Sequence, residues 1–565
     1  PVNSDYPDSG LPDSSYINVL TRESMKMPNP YNGSNSFVVG PQKTTDGSVI
    51  LSNEPDLALN LPSIWYVAHL STGDLNTMGA TIPGMPGVII GFNENIAWGN
   101  TNAPRDLVDW YQISFKNDKR EEYRYDDKWL KAENRIEKYK VSGGETFYDT
   151  VIYTHYGPVA YDRNFMGNGE QVNLAMRWTA HDPSVEFKAM YQINRANNYE
   201  EFVKAFDYFD GPPQNYSYGD RQGNIALWIN GKYPIKWKEQ GKFVLNGANS
   251  SHEWMGFIPR EQNIHIKNPD RGFVSSANQH PADSTYPYYI YDRNYEYYRG
   301  RRLNDRLRTM ENVSVRDVQK LQNDNYNYIA SENLDFLLNT LDSASLDNQK
   351  STYFRLLRNW DYFNDPNMVA PSVFELWQDR LIYLLWDEFR KEDISLRTPP
   401  IYHTFHYLQN NDSSEFFDNL ETASTETAAD LISQSYKFAV DSIESWQNIK
   451  GSEAKWYLFK NTTISHMLGI EQFSVDKVKI GGNHNIINAA SSGHGPSWRM
   501  VVKLTKGGIE AWGMYPGSQT GNVGNPKYGH WIEDWSQGKY TKLEFSSRSK
   551  FPADKILKTI KFASK

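Results

Sequence analysis

The sequence predicts an α+β fold, and three observations carry that reading. Residues 34–178 hold short apolar runs bounded by Gly, Asn or Pro, which is the mark of strands. Residues from about 301 to 447 change to apolar positions at helical spacing. From about 455 the strand and turn signals return, so the chain is expected to re-enter the domain it left. The expected organisation is a spacer at 1–33, a first part of the core at 34–300, a largely helical insertion at 301–450, and a return to the core at 451–565.

Residues 1–33 are rich in Ser, Asp, Pro and Asn and lack periodicity, as a linker does. Phe37–Val39, Val49–Leu51, Ile64–Leu70 and Val88–Phe92 read as strands. Glu121–Val141 alternates charged and aromatic residues, as in a solvated hairpin. A helix is expected after Asn198, with Asn198 as its cap, Glu201 closing a capping box, and Phe202, Phe206 and Phe209 facing inward. Tyr216–Trp228 reads as a hairpin around Asp220-Arg-Gln-Gly223. In the helical region, Leu334, Phe336, Leu337, Leu338 and Leu341 form one apolar face, and Phe374, Trp377, Leu381, Leu384 and Leu385 another. No internal repeat is visible.

The 565 residues are 39% hydrophobic, ample for a large core, and carry a formal net charge of −9. The acidic balance and the lack of a long basic cluster argue against nucleic acid as partner. No apolar run reaches the ~20 residues of a membrane helix. Cysteine is absent, which excludes disulfides, thiolate metal sites and a Cys nucleophile. The chain opens at Pro1 with no Met and no signal peptide, which reads as a processed product.

The chemistry centres on Pro28-Asn-Pro-Tyr-Asn-Gly33-Ser34-Asn35-Ser36-Phe37. Pro, Asn and Gly mark a turn, and a single Ser follows before the first strand. Gly33 has no Cβ, so its peptide can be approached closely. The Ser34 hydroxyl can attack that carbonyl and cut the chain. Ser34 would then carry a free α-amine, which titrates at about 7.7–8.0 and can serve as base for its own side chain. By itself Gly-Ser-Asn also fits an ordinary loop.

Further motifs follow in order. They are Asn60-Leu-Pro-Ser-Ile-Trp-Tyr66, Gly84-Met-Pro-Gly-Val-Ile-Ile-Gly-Phe92, Ile96-Ala-Trp-Gly-Asn-Thr101, His155-Tyr-Gly-Pro158, Ser276-Ala-Asn-Gln279, His494-Gly-Pro-Ser-Trp-Arg499 and Pro516-Gly-Ser-Gln-Thr-Gly521. As an ordered set they resemble the penicillin acylase family of N-terminal-nucleophile amidohydrolases. The resemblance runs from Ser34 almost to the C-terminus, the part this family uses as its large β subunit.

The resemblance implies a four-layer αββα sandwich with two stacked antiparallel sheets. It implies cleavage at Gly33–Ser34 and hydrolysis of a linear amide: a β-lactam side chain, an acyl-homoserine lactone or an acyl-peptide. A small α subunit from the same precursor would be the partner, and export to the periplasm or medium the location. By resemblance, the Asn278 side chain and the Asn102 backbone N–H form the oxyanion site. Leu57 and Asn100 would line the acyl pocket. Asp106-Leu-Val-Asp109 matches the calcium motif, with Asp106, Asp109, the Val108 carbonyl and Asp292 as ligands of one structural Ca²⁺. A pair of acidic residues on a strand edge is the plainer alternative. Arg302, in Arg301-Arg-Leu303, matches an Arg that would orient Asn278 and a substrate carboxylate, or it makes a helix-start salt bridge.

One departure concerns Asn53-Glu-Pro-Asp56, where similar acylases have Asn-Asp-Pro-His. Asp56 would then face the nucleophile's amine, where a carboxylate either raises the amine's pKa or impairs self-processing. A Ser-His-Asp triad using His155, His280, His484 or His494 is not expected, since no Gly-x-Ser-x-Gly elbow is present. Two rivals remain at this level: an aromatic-rich exported glycan-binding protein, and an acylase-like chain that does not mature.

Overall fold

The computed structural model describes residues 33–546 and 553–563, apart from 104, 163–172, 291–295, 392–397, 412 and 421. Of the expected spacer only Gly33 is among them.

Two antiparallel sheets dominate. In chain order their strands are β1 (Gly33–Val39), β2 (Val49–Ala58), β3 (Tyr66–Ser71), β4 (Asn76–Thr81), β5 (Ile90–Asn93), β6 (Ile96–Asn102), β7 (Gln214–Asp220), β8 (Ile225–Asn230), β9 (His265–Lys267), β10 (Phe273–Ser276), β11 (Arg499–Thr505), β12 (Gly508–Met514) and β13 (Thr541–Leu543). The first sheet runs β10-β1-β2-β11-β12-β13, and His494–Pro496 also pairs with β2. The second runs β9-β8-β7-β6-β5-β4-β3. The hairpin expected around Asp220-Arg-Gln-Gly223 is the β7–β8 pair, with Gly219 opposite Ile225.

All seven residues of β1 are buried. Its Ser and Asn residues break the apolar run, so burial on both faces could not be read from periodicity. Val38, Val49, Leu51, Phe92, Ala97, Ile225, Met500 and Val502 pack between the sheets. Phe37, Val39, Ile50 and Val501 face the other way and meet Leu303, Leu307, Val318 and Leu321 of two helices. On the far side, Ile96, Trp98, Tyr216 and Tyr218 meet Ala189, Ile193, Phe202 and Ala205. Helices, sheet, sheet, helices: this is the expected αββα sandwich.

The outer helices are α1 (Glu186–Ile193) and α2 (Tyr199–Ala205) on one side and α3 (Tyr298–Thr309) and α4 (Val315–Gln322) on the other. Asn198 caps α2 by accepting from Glu201 N–H; the Glu201 carboxylate accepts from the Asn197 N–H rather than closing the box on Asn198. Ser314 and Asp317 form a complete capping box on α4.

Three longer helices follow: α5 (Tyr328–Thr340), α6 (Ala370–Leu385) and α7 (Ala428–Lys450). They bury Leu334, Leu337, Phe374, Trp377, Leu381, Leu431, Tyr436 and Val440 together. The expected boundary at 301 falls inside α3, because α3 and α4 cover the first sheet. The Glu121–Val141 stretch supplies one hairpin, Glu122–Tyr125 with Lys128–Lys131, and then Glu133–Tyr139, which pairs with Phe147–Thr154 in a separate six-stranded sheet.

Candidate active site

β1 carries Ser34 one residue from its start, opposite Pro55, with Gly33 opposite Asp56. Ser34 is 4% exposed. Its hydroxyl donates to the Gly33 carbonyl oxygen, and its backbone N–H donates to Asn278 Oδ1 at 2.8 Å. The hydroxyl thus lies against the peptide it would cut, and the nitrogen that would leave is held. Ser34 has no histidine among its described hydrogen-bond partners. His155 is engaged with Tyr123 and Glu253 instead.

Asn278 follows β10 and adopts φ 70°, a left-handed conformation that Asn tolerates better than other side-chain residues. Its amide orientation is set by its partners. Oδ1 accepts from Ser34 N–H and from Arg299 Nη2 at 3.0 Å, while Nδ2 donates to the Asn102 carbonyl at 2.8 Å. A primary amide has two N–H donors. One is used on Asn102, which fixes the amide plane. The contact Asn102 makes here is therefore through its carbonyl, which also accepts from Asn215 Nδ2 at 3.1 Å. The resemblance gave its N–H the oxyanion role, which this carbonyl contact neither uses nor blocks.

Arg299, at the start of α3 and 5% exposed, is the organising cation. It donates to the Ser34 carbonyl at 3.1 Å, to Asn35 Oδ1 at 2.8 Å and to Asn278 Oδ1. Asp56 Oδ2 lies 3.9 Å from it. A Cβ on Gly33 would sit 2.7 Å from Arg299 Nη2 and 3.2 Å from Asn278 Oδ1, so only glycine leaves room for both.

Of the two readings of Arg302, the salt bridge near the helix start is the one observed, and the Asn278 role falls to another arginine. Arg302 pairs with Asp324 at 2.8 Å and stacks over Tyr326, and it is Arg299, one helical turn earlier, that touches Asn278. Tyr298-Arg-Gly-Arg-Arg302 offers three arginines in four positions, and choosing among them requires the phase of the helix.

Behind β1 lies a fully buried charge cluster, in which Asp56 was expected and the Glu54–Arg499 pair was not. Glu54 accepts from Asn35 Nδ2 at 2.9 Å and from Arg499 Nε at 3.3 Å. Asp56 is 1% exposed, and neither of its oxygens has a hydrogen-bond partner among the described residues. Burial pushes the Asp56 carboxyl well above its usual range, against the pull of Arg299 and Arg499. Burial also raises Glu54, with Arg499 opposing and Asp56 adding like charge. His484 is pushed down to about 4 by burial and by Arg299, which keeps it neutral near neutral pH.

Asn100 sits in β6 opposite Tyr216, and its carbonyl accepts from Asn53 Nδ2 at 2.8 Å. Leu57 sits in β2 opposite Gly495 and packs against the inter-sheet core. Both lie on strands next to the site.

The calcium ligands expected at Asp106, Val108 and Asp109 do not present an open donor set. Lys236 Nζ lies 2.8 Å from Asp106 Oδ2 and 2.9 Å from Asp109 Oδ2. Val108 opens a strand and pairs with Trp178, and Asp292 lies outside the described residues. Among the described residues no cluster of three or more His, Asp or Glu could hold a metal. An ammonium between two carboxylates does not fit a divalent cation at the same place.

The penicillin amidase family model matches residues 5–550. The chain belongs to the penicillin amidase family. An acyl-homoserine lactone acylase (QuiP) of Pseudomonas syringae pv. tomato is 24% identical over 559 residues, covering 91% of this chain and 66% of that protein. Penicillin acylase 2 proenzyme of Pseudomonas sp. SE83 is 25% identical over 52% of this chain and 37% of its own length. The chain thus spans just under two thirds of the acyl-homoserine lactone acylase it matches. A thermostable penicillin G acylase from Alcaligenes faecalis superposes with a TM-score of 0.70 at 17% identity, covering 94% of this chain and all of that one. The sandwich is the fold of that family.

Proposed function

We propose that this chain bears the nucleophile of an acylase that matures by cutting Gly33–Ser34 and then hydrolyses linear amides. The observation that carries the reading is the Ser34 hydroxyl against the Gly33 carbonyl, with the Ser34 nitrogen bonded to Asn278. In the first step Ser34 Oγ bonds to the Gly33 carbonyl carbon, the C–N bond breaks, and the hydroxyl proton passes to nitrogen. Water then hydrolyses the ester, leaving a Gly33 carboxylate and a Ser34 amine. In turnover that amine takes the proton from Oγ as Oγ bonds to the substrate carbonyl carbon and passes it to the leaving amine as the C–N bond breaks; water, deprotonated by the same amine, then hydrolyses the acyl ester and restores the Ser34 hydroxyl. The second Nδ2 hydrogen of Asn278 is available for the oxyanion. Arg299, a cation beside the amine, disfavours the ammonium and so favours the base.

Acyl-homoserine lactones, β-lactam side chains and acyl-peptides are the substrate classes this reading allows. Acyl-homoserine lactones come first for assay, because their acylases align over nine tenths of the chain. A small α subunit from the same precursor and an exported location belong to the same proposal. The test is N-terminal sequencing of the purified precursor, with Ser34→Ala beside it, followed by assay of product amine on the three classes. Self-cleavage at Gly33–Ser34 that is lost in Ser34→Ala, together with amine release, is the expected result. An intact bond in the native protein, or cleavage that persists in Ser34→Ala, would overturn the maturation step.

A further inference from the structure

The Asp106–Asp109 stretch joins β6 to the strand Val108–Gln112 of the third sheet. It begins four residues beyond Asn102, the residue whose carbonyl anchors Asn278. Two carboxylates there, 18% and 0% exposed at the side chain, need a compensating charge, because an uncompensated buried carboxylate is costly. Lys236 comes from the segment after β8, and its side chain is only 3% exposed. It makes one short ion pair to each carboxylate, at 2.8 and 2.9 Å. Trp254 completes the enclosure: its indole N–H donates to Asp109 Oδ2, and its ring lies 5.6 Å from Lys236 Nζ. Gly241 closes the other side, where a Cβ would lie 2.1 Å from Asp109 Oδ1.

We propose that Lys236 is a built-in structural cation, whose ammonium stands between Asp106 and Asp109 where a divalent ion would otherwise be needed, so that this part of the fold is independent of calcium. A tethered ammonium cannot dissociate, and it clips three separate stretches of chain, 106–109, 236 and 254. Removing it leaves two facing carboxylates, with Asp109 Oδ1 already lacking a partner among the described residues. That is a vacancy a hard divalent cation can fill.

The experiment is thermal unfolding of the purified protein in chelator and in millimolar calcium, with elemental analysis. For the native sequence the two melting curves are expected to superimpose, with no stoichiometric calcium. Lys236→Ala is expected to lose several degrees of Tm in chelator and to regain part of that loss as calcium is added. A native protein that carries calcium and loses Tm in chelator overturns the proposal, and so does a Lys236→Ala variant whose Tm ignores calcium. If Lys236→Ala does not accumulate, the triple variant Lys236→Met, Asp106→Asn, Asp109→Asn decides. It removes all three charges at nearly constant volume and is expected to fold and to ignore calcium. Failure of the triple variant as well would overturn the proposal, since removing all three charges together should then be tolerated.

Discussion

The Asn278 amide oxygen accepts from the Ser34 N–H at 2.8 Å and from Arg299 at 3.0 Å. One oxygen therefore ties the Ser34 nitrogen to a guanidinium. On the proposed maturation, the tie would orient the peptide for cleavage and keep a positive charge beside the amine afterwards.

Arg299→Met removes both effects. Self-cleavage is expected to slow by about 10²-fold, the usual scale for losing one well-placed charged donor. Any mature enzyme that forms should show the acid limb of its kcat/KM profile displaced to higher pH, since a cation that disfavoured the ammonium is gone. Arg302→Met is the control. It breaks the Asp324 pair, at a cost of about 1–3 kcal/mol in stability, and should leave the limb where it was. Time courses of cleavage and pH profiles of both variants check this; equal effects of the two would remove Arg299 from its role.

Gly33→Ala places a methyl group 2.7 Å from Arg299 Nη2. The guanidinium must shift, and it takes with it the bonds to Ser34 O, Asn35 and Asn278. We expect slower self-cleavage, with global stability changed by only about 1 kcal/mol, because the strand is already formed on its other side. Denaturant melts and cleavage rates measured on the same preparation separate the two. A variant that cleaves at the native rate would show that the space above Gly33 is not needed.

Asp56 has a carboxyl raised by burial from 3.8 to about 7. A raised folded-state pKa means the proton is bound more tightly in the folded chain. The associated stability is fully present below about 3.8 and is lost as pH rises toward about 7. Asp56→Asn keeps the shape and removes the titration. It should match the native protein near pH 4 and exceed it increasingly as pH rises toward 8. Urea midpoints across that range give the answer, and parallel curves would show that Asp56 does not carry the penalty. The sign differs in emphasis from the sequence-based expectation, which treated Asp56 as an anion at the amine. Below its raised pKa it is neutral there.

The sandwich was readable where residues announce turns and faces: the β7–β8 hairpin from Asp220-Arg-Gln-Gly223, the cap at Asn198, the stripe of Phe374, Trp377 and Leu381. Of β1 only Phe37–Val39 was readable; its start at Gly33–Ser36 and its burial on both faces were not, since Ser and Asn there leave no alternation. Ser34 and Asn278 came from motifs. Arg299 was missed because three arginines crowd one helical turn. Glu54 and Arg499 were missed because they meet across 445 positions of sequence. The ammonium of Lys236 between Asp106 and Asp109 has the same origin, a contact 130 positions apart. Pairings of that range are set by the fold and leave no local signal.

Asn278 has two tasks that one substitution can separate. Its oxygen holds the Ser34 nitrogen and meets Arg299, and its Nδ2 reaches Asn102 and, by our reading, the oxyanion. Asn278→Asp keeps the acceptor and loses both N–H donors. The precursor should therefore still split, because the leaving nitrogen and Arg299 retain their partner. Turnover should fall by about 10²–10³-fold in kcat, the range seen when an oxyanion donor is lost. A carboxylate so near the amine also raises its pKa, so the comparison belongs on the high-pH plateau, where the amine is neutral in both forms. Asn278→Ala loses both functions and should fail at the cleavage step itself. The measurements are the cleaved fraction by mass spectrometry and kcat on the plateau. If Asn278→Asp splits and turns over at native rates, the Nδ2 donor has no part in the chemistry. If Asn278→Ala splits as fast as the native precursor, the Oδ1 contact to Ser34 has no part in maturation.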